Sequence, residues 1–181
     1  MNEIIECIVN RVSVRNFQDK PIDKETLQLI AKAGINAPNG LNKQTWRFTI
    51  LNQSNQISEF KNQVESTLER TKTDTMHGFD NPMAIIIVSD RKTNHNAIAN
   101  GSCALENMML AAYSLGIGSC WLNALRTIQD DEEIRQNLLG KFGIPDNHMV
   151  VGCLMLGYMD EERIFKKPRR RNDVIHFVEE L

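Results

Sequence analysis

Apolar positions along this chain follow two rhythms, one helical and one alternating, broken by short polar and glycine-rich stretches. Ile4, Ile5, Ile8 and Val9 share one helical face, which predicts a short amphipathic helix over residues 3–10. Pro21-Ile22-Asp23 reads as the start of a second helix, with Asp23 as N-cap, Leu27, Ile30 and Ala31 on the buried face, and an end between residues 34 and 38. Trp46, Phe48 and Ile50 alternate with Arg47 and Thr49, the pattern of a strand with one apolar face. A third helix follows, carrying Ile57, Phe60, Val64 and Leu68 at helical spacing. Residues 71–78 are polar and aperiodic, a loop or a frayed helix end.

The second half is more apolar. Residues 83–88 are apolar on both faces, as in a central strand covered on each side, and Pro82 stands at its start, where a missing donor does least harm. Residues 95–115 predict the longest helix, with apolar and small residues nearly all round, hence buried. In a chain of 181 residues that burial is easiest to understand if part of the helix packs against a second copy. Gly116 ends it, and a tight turn leads into a short strand within 117–124. Asp130-Asp131-Glu132-Glu133 reads as the acidic first turn of a helix carrying Ile134, Leu138 and Leu139. Residues 149–158 form another near-continuous apolar strand, and the tail returns to apolar character at Val174, Ile175, Phe177 and Val178.

Length and charge narrow the function. The chain is long enough for one domain over residues 1–181 with a sizeable core, and a net charge of −2 argues against nucleic acid as the general partner. No apolar run approaches the roughly 20 residues that cross a bilayer, and the N-terminus lacks a basic start and apolar centre, so a cytoplasmic protein without a membrane partner is expected. Cys7, Cys103, Cys120 and Cys153 are widely spaced, with no CxxC pair and no histidine at ligand spacing. They read as four buried thiols rather than a disulfide framework or metal site.

Candidate chemistry lies in three places. In Arg11-Val12-Ser13-Val14-Arg15, an extended backbone puts two guanidiniums and a hydroxyl on one face and two valines on the other, an arrangement suited to a phosphate or another oxyanion, or else a solvated arginine pair beside a helix-capping serine. The loop over residues 37–46 contains an Asn-Gly turn, and the amides of Asn42 and Gln44 stand uncommitted, able to read the mixed donors and acceptors of a heterocycle. Lys166-Lys167-Pro168-Arg169-Arg170-Arg171 is a dense basic run with no interleaved aromatics, suited to a single phosphate or to solvent rather than to a nucleic-acid strand. His77, His148 and His176 read as structural or surface residues.

Together these pieces resemble the FMN-dependent nitroreductase family. The resemblance rests on Arg11-x-Ser13-x-Arg15, on Ala37-Pro38-Asn39-Gly40-x-Asn42-x-Gln44-x-Trp46-x-Phe48, on Glu106-Asn107-Met108-Met109-Leu110-Ala111-Ala112 running into Gly116-x-Gly118-Ser119-Cys120-Trp121, and on Lys167-Pro168-Arg169-Arg170. It implies an α+β sandwich with a mainly antiparallel sheet flanked by helices, and a homodimer joined through the long central helix with two FMN at the interface. On that pattern Arg11, Val12 and Ser13 meet the FMN phosphate with Lys167, Arg169 and Arg170, while Arg15 lies nearer the ribityl chain and pyrimidine end. Pro38, Asn39, Gly40, Asn42 and Gln44 come from the partner subunit, and Leu122 and Asn123 sit against the ring, with a backbone N–H toward flavin N5. The sequence departs from the pattern at Val12, where a second Arg is frequent, at Asn39-Gly40, Thr45 and Asn123-Ala124, and at Arg171 in place of Pro.

The implied reaction is ping-pong hydride transfer from NAD(P)H through FMN to a nitroaromatic, a quinone or a similar electron-poor acceptor. It needs no catalytic side chain and no metal, because the flavin performs the chemistry. The alternatives are a flavoenzyme of the same fold with a dedicated substrate, of the dehalogenating or flavin-fragmenting type, a flavin-binding module without turnover, and a small nucleic-acid-binding protein.

Overall fold

The computed structural model describes residues 2–73, 81–160, 169–171 and 173–178. Its centre is a four-stranded antiparallel sheet of β1 (Arg47–Leu51), β2 (Ala84–Arg91), β3 (Ile117–Leu122) and β4 (His148–Tyr158), in the order β1-β2-β4-β3. Both faces of β2 and β4 are covered, which is why their sequences show no polar alternation. Ile85, Ile87, Cys153 and Met155 point into one core, with Phe60, Val64 and Leu68 of α3 (Ser54–Thr71) and Leu125 and Ile128 of α5 (Ala124–Ile128). Ile86, Val88, Leu154 and Leu156 point into the other, with Leu27 and Ile30 of α2 (Lys24–Ile35) and Ala104, Leu105 and Met108 of α4 (Ala97–Ser114). The result is a helix-sheet-helix sandwich of α+β type, as the resemblance implies.

Local chemistry sets the boundaries. Asp23 Oδ1 accepts from the Thr26 N–H at 2.8 Å and starts α2 as its N-cap. Gly116, at φ +73°, turns the chain out of α4 into β3. α4 packs closely on β4 because Gly101 has no side chain: a Cβ there would lie 2.7 Å from both Val151 methyls. Where β2 and β4 meet, the register slips between Val88 and Ser89, skipping Val151, and next to the slip Gln129 Oε1 accepts from the Val150 N–H at 2.7 Å.

Several expectations are corrected. α4 is not the longest helix, since α3 matches its 18 residues. Nor is it buried all round: Ala99, Cys103 and Glu106 are exposed in the single chain, a line that small residues hid from the apolar count. Only Cys120 and Cys153 of the four cysteines are buried; Cys103 is exposed and Cys7 half-buried. α1 (Glu3–Asn10) forms as predicted, but its apolar face is open, with Ile4 70% exposed and no residue buried. Ala31 is half-buried rather than buried. Residues 166–168, with Lys166 and Lys167, lie outside the described residues, as do 74–80, with His77.

Candidate functional site

α1 ends at Arg11, where ψ rises to 131° and the chain runs on extended. Ser13 then forms a parallel bridge to Ser119 of β3, and the Val14 N–H donates to the Ser119 carbonyl at 2.8 Å. Four residues on, Phe17 bridges Met159 antiparallel, and the Gln18 N–H donates to the Tyr158 carbonyl at 2.9 Å. The segment is therefore fastened at both ends to the edge of the sheet. Val14 is buried and Val12 packs against the core, while Ser13 and Arg15 are exposed on the opposite face, as the alternation predicts. Gly118 makes room for this: a Cβ there would fall 2.9 Å from Val14 Cγ1 and 2.8 Å from Met159 Cγ.

Arg11 is the most enclosed of the three polar residues, its side chain 15% exposed, with Nε 3.9 Å from Glu106 Oε1 of α4. Glu106 is half-exposed, so this long pair contributes roughly 0–1 kcal/mol and leaves the guanidinium able to turn to a stronger anion. Beneath the same face lies the Cys120 thiol, beside Ser13, Arg15 and Arg11. Burial pushes its pKa up against the opposing pull of those groups, so it stays a protonated thiol.

At the far end of β3, Leu122 is half-buried and Asn123 exposed. Asn123 Oδ1 accepts from Trp121 Nε1 at 2.9 Å, which fixes the indole and the amide together at the mouth of the sheet. α5 begins at the next residue and is tied down by Gln129, the Nε2 of which donates to the Arg126 carbonyl at 2.9 Å while its Oε1 holds Val150.

The loop over residues 37–46 sits at the other end of α4. Leu41, Asn42 and Gln44 adopt left-handed φ of 57°, 50° and 49°, and Leu41 is 86% exposed. This backbone brings the Gln44 and Asn42 side chains together: Gln44 Nε2 donates to Asn42 Oδ1 at 3.1 Å, and the Gln44 N–H donates to Asn39 Oδ1 at 3.0 Å. The two amides expected to be uncommitted are thus bonded to each other. The Gly40 N–H donates to Asn100 Oδ1 of α4 at 3.1 Å, while Asn100 Nδ2 is a buried donor with no partner among the described residues. Pro38 is exposed.

Among the described residues these groups meet α4 at separate points. The loop touches α4 at Asn100, and Arg11 touches it at Glu106, six residues or about 9 Å further along. No hydrogen bond or ion pair among the described residues joins the loop to Arg11 or Arg15. Arg169 and Arg170 are described and exposed, and Lys167 lies outside the described residues.

Sequence reasoning missed Asn100 and a polar knot at the end of β2. Asp90 is fully buried: its Oδ1 accepts from the Arg91 N–H at 2.7 Å and its Oδ2 from Asn94 Nδ2 at 2.9 Å. Ser89 Oγ lies 3.1 Å from His148 Nδ1. Burial, helped by Arg47 and Arg91 and opposed by Asp90, lowers the His148 pKa. The polar triplet Ser89-Asp90-Arg91 closing an apolar strand was the available signal.

The family model described as "Nitroreductase family" matches residues 8–158. The chain belongs to the nitroreductase family. A nitroreductase of Bacteroides fragilis NCTC 9343, solved with bound FMN, superposes with a TM-score of 0.90 at 34% identity over 99% of this chain and 100% of that one. The NADPH-flavin oxidoreductase of Vibrio harveyi is 30% identical, covering 97% of this chain and 74% of its own length. The FMN reductase [NAD(P)H] of Bacillus subtilis strain 168 is 26% identical, covering 99% and 74%. The matched nitroreductase span includes the extended Arg11–Arg15 face, the 37–46 loop and the end of β3.

Proposed function

We propose that this nitroreductase-family chain is an FMN-dependent NAD(P)H oxidoreductase acting as a homodimer. The observation that carries the reading is the Arg11-Ser13-Arg15 face, held extended against β3 with Val14 buried and Val12 half-buried beneath it. Two guanidiniums and a hydroxyl on a fixed backbone suit a phosphate monoester, which takes bidentate, charge-assisted bonds from Arg.

The chain's residues divide the work as follows. Arg11 and Ser13 hold the phosphate, joined by Lys167, Arg169 and Arg170 from the C-terminal run, and Val12 contributes its backbone alone, since its side chain packs inward. Arg15 places positive charge toward the pyrimidine end, where it favours the electron-rich form of the ring. Leu122 and Asn123 form the platform under the ring, kept level by the Trp121–Asn123 bond. Pro38, Asn39, Gly40, Asn42 and Gln44 reach the same ring from the partner subunit, which accounts for their distance from Arg11 within one chain. Asn100 Nδ2, a buried donor beside Gly40, supplies a hydrogen bond there. The flavin, when bound, supplies the redox chemistry, taking a hydride equivalent from the nicotinamide and passing electrons to a nitroaromatic or quinone. No protein side chain is assigned as acid, base or nucleophile.

Initial rates at several fixed concentrations of a quinone test the order of events. Parallel double-reciprocal lines against NAD(P)H are expected from a site that donor and acceptor occupy in turn. Lines that intersect would contradict it.

A further inference from the structure

A cleft of about 200 Å³ lies between residues 43–45 and the turn that enters α4. Lys43, Arg91 and His95 line it with Thr45, Thr93 and Asn94, and no carboxylate among the described residues does. Asp90, next to Arg91 in the chain, is fully buried with both oxygens engaged by the Arg91 N–H and Asn94 Nδ2. The same Asn94 amide donates to Thr45 Oγ1 at 3.0 Å. With its oxygen accepting there, Thr45 has its own proton to give, so a buried carboxylate, through Asn94, makes this hydroxyl a donor. Asn96 also lines the cleft and gives α4 no side-chain cap; Asn94 accepts from the Asn96 N–H through Oδ1 and from the Ala97 N–H through its carbonyl, so the start of this 18-residue helix adds its dipole to the cleft. The cleft is therefore cationic and rich in donors. Its volume is below the roughly 300–1,000 Å³ of whole-ligand pockets, and it suits one anionic group.

We propose that this cleft is a phosphate subsite for the adenosine half of the nicotinamide donor, gripped by Lys43, Arg91 and Thr45. The proposal rests on the oxidoreductase reading, because Lys43 lies between Asn42 and Gln44, which that reading sets against the flavin. The group held is either the 2′-phosphate, present in NADPH alone, or the diphosphate common to both donors.

The test is a double variant, Lys43→Gln with Arg91→Gln, two exposed side chains whose replacement leaves the core intact. It is expected to stay folded and to raise the KM for NADPH by at least about tenfold, the equivalent of ~1.4 kcal/mol. If the KM for NADH is unmoved, the group held is the 2′-phosphate; if it rises equally, the group is the diphosphate. KM values for both donors within about twofold of the parent's would overturn the proposal. A second readout needs no turnover: calorimetric titration with adenosine 2′,5′-bisphosphate and with pyrophosphate. At least one should bind the parent protein and bind the double variant at least about tenfold more weakly. Equal affinities, or no binding to the parent, would refute the subsite. A colourless parent that still binds pyrophosphate through Lys43 and Arg91 would remove the flavin reading and keep the anion cleft.

Discussion

Arg11 and Ser13 occupy a stretch whose backbone is fixed by four hydrogen bonds or bridges to β3 and the end of β4, so their side chains start from a set position. Arg11→Ala combined with Arg169→Ala should give a protein with unchanged circular dichroism that has lost most of its yellow colour on purification. Full flavin retention would show that the phosphate is held elsewhere. Gly118→Ala should disturb the same site sterically, costing about 1–3 kcal/mol in a urea melt, because its Cβ would press on Val14 and Met159. His148 supplies a pH test. Its pKa is lower folded than unfolded, so the unfolded chain binds more protons as the solution acidifies. Its share of stability is therefore intact above the usual histidine range, near 6.5, and is lost as pH falls below it. A His148→Asn variant should show a flatter stability profile across that window in denaturant titrations. At this scale the alternation at residues 11–15 was legible because a two-residue period is visible in any extended segment. The pairing of Asn42 with Gln44 was not, since it depends on left-handed φ values that no local pattern declares.

The elements were easier to read where packing is two-sided. β2 and β4 could be placed at the centre because both faces had to be apolar, and the structure covers each with helices. α3 could be read from Phe60, Val64 and Leu68, all buried. Phe60→Ala should cost about 3–5 kcal/mol, measured by chemical denaturation. α4 misled, because alanines, a glycine and a cysteine look equally apolar on a buried face and on one that is merely small. The helix after residue 130 was foreseen, but not its form: Ile134–Leu139 is wound as a π-helix, with the Gly140 N–H donating to the Arg135 carbonyl. Asp131 does open it, accepting from the Glu133 and Ile134 N–H groups, and also pairs with Arg70 of α3. Gln129, which bonds the Val150 peptide beside the β-bulge, carried no sequence signal. Removing its side chain leaves a buried donor unpaired.

For the whole molecule, the open surfaces matter most. Ile4, Ile5, Ile8 and Val9 of α1 are 42–70% exposed, and Ala99, Cys103 and Glu106 of α4 are exposed on a helix otherwise sunk in the core. Val174, Ile175, Phe177 and Val178 near the C-terminus are exposed as well. No helix among the described residues is long and apolar enough to cross a membrane. The proposed homodimer has a second copy covering part of this surface, with the 37–46 loop set against the partner's Arg11–Arg15 face. Light scattering should then give twice the chain mass of 20.7 kDa, and a monomer that keeps its flavin would refute the shared site. The claim beneath all of these is that this chain carries a working flavin. Its most direct test is the visible spectrum of the purified protein before and after anaerobic NADH or NADPH. A flavin band that bleaches on donor addition and returns with a quinone is expected; a colourless protein, or a band that neither donor bleaches, would rule a working flavin out.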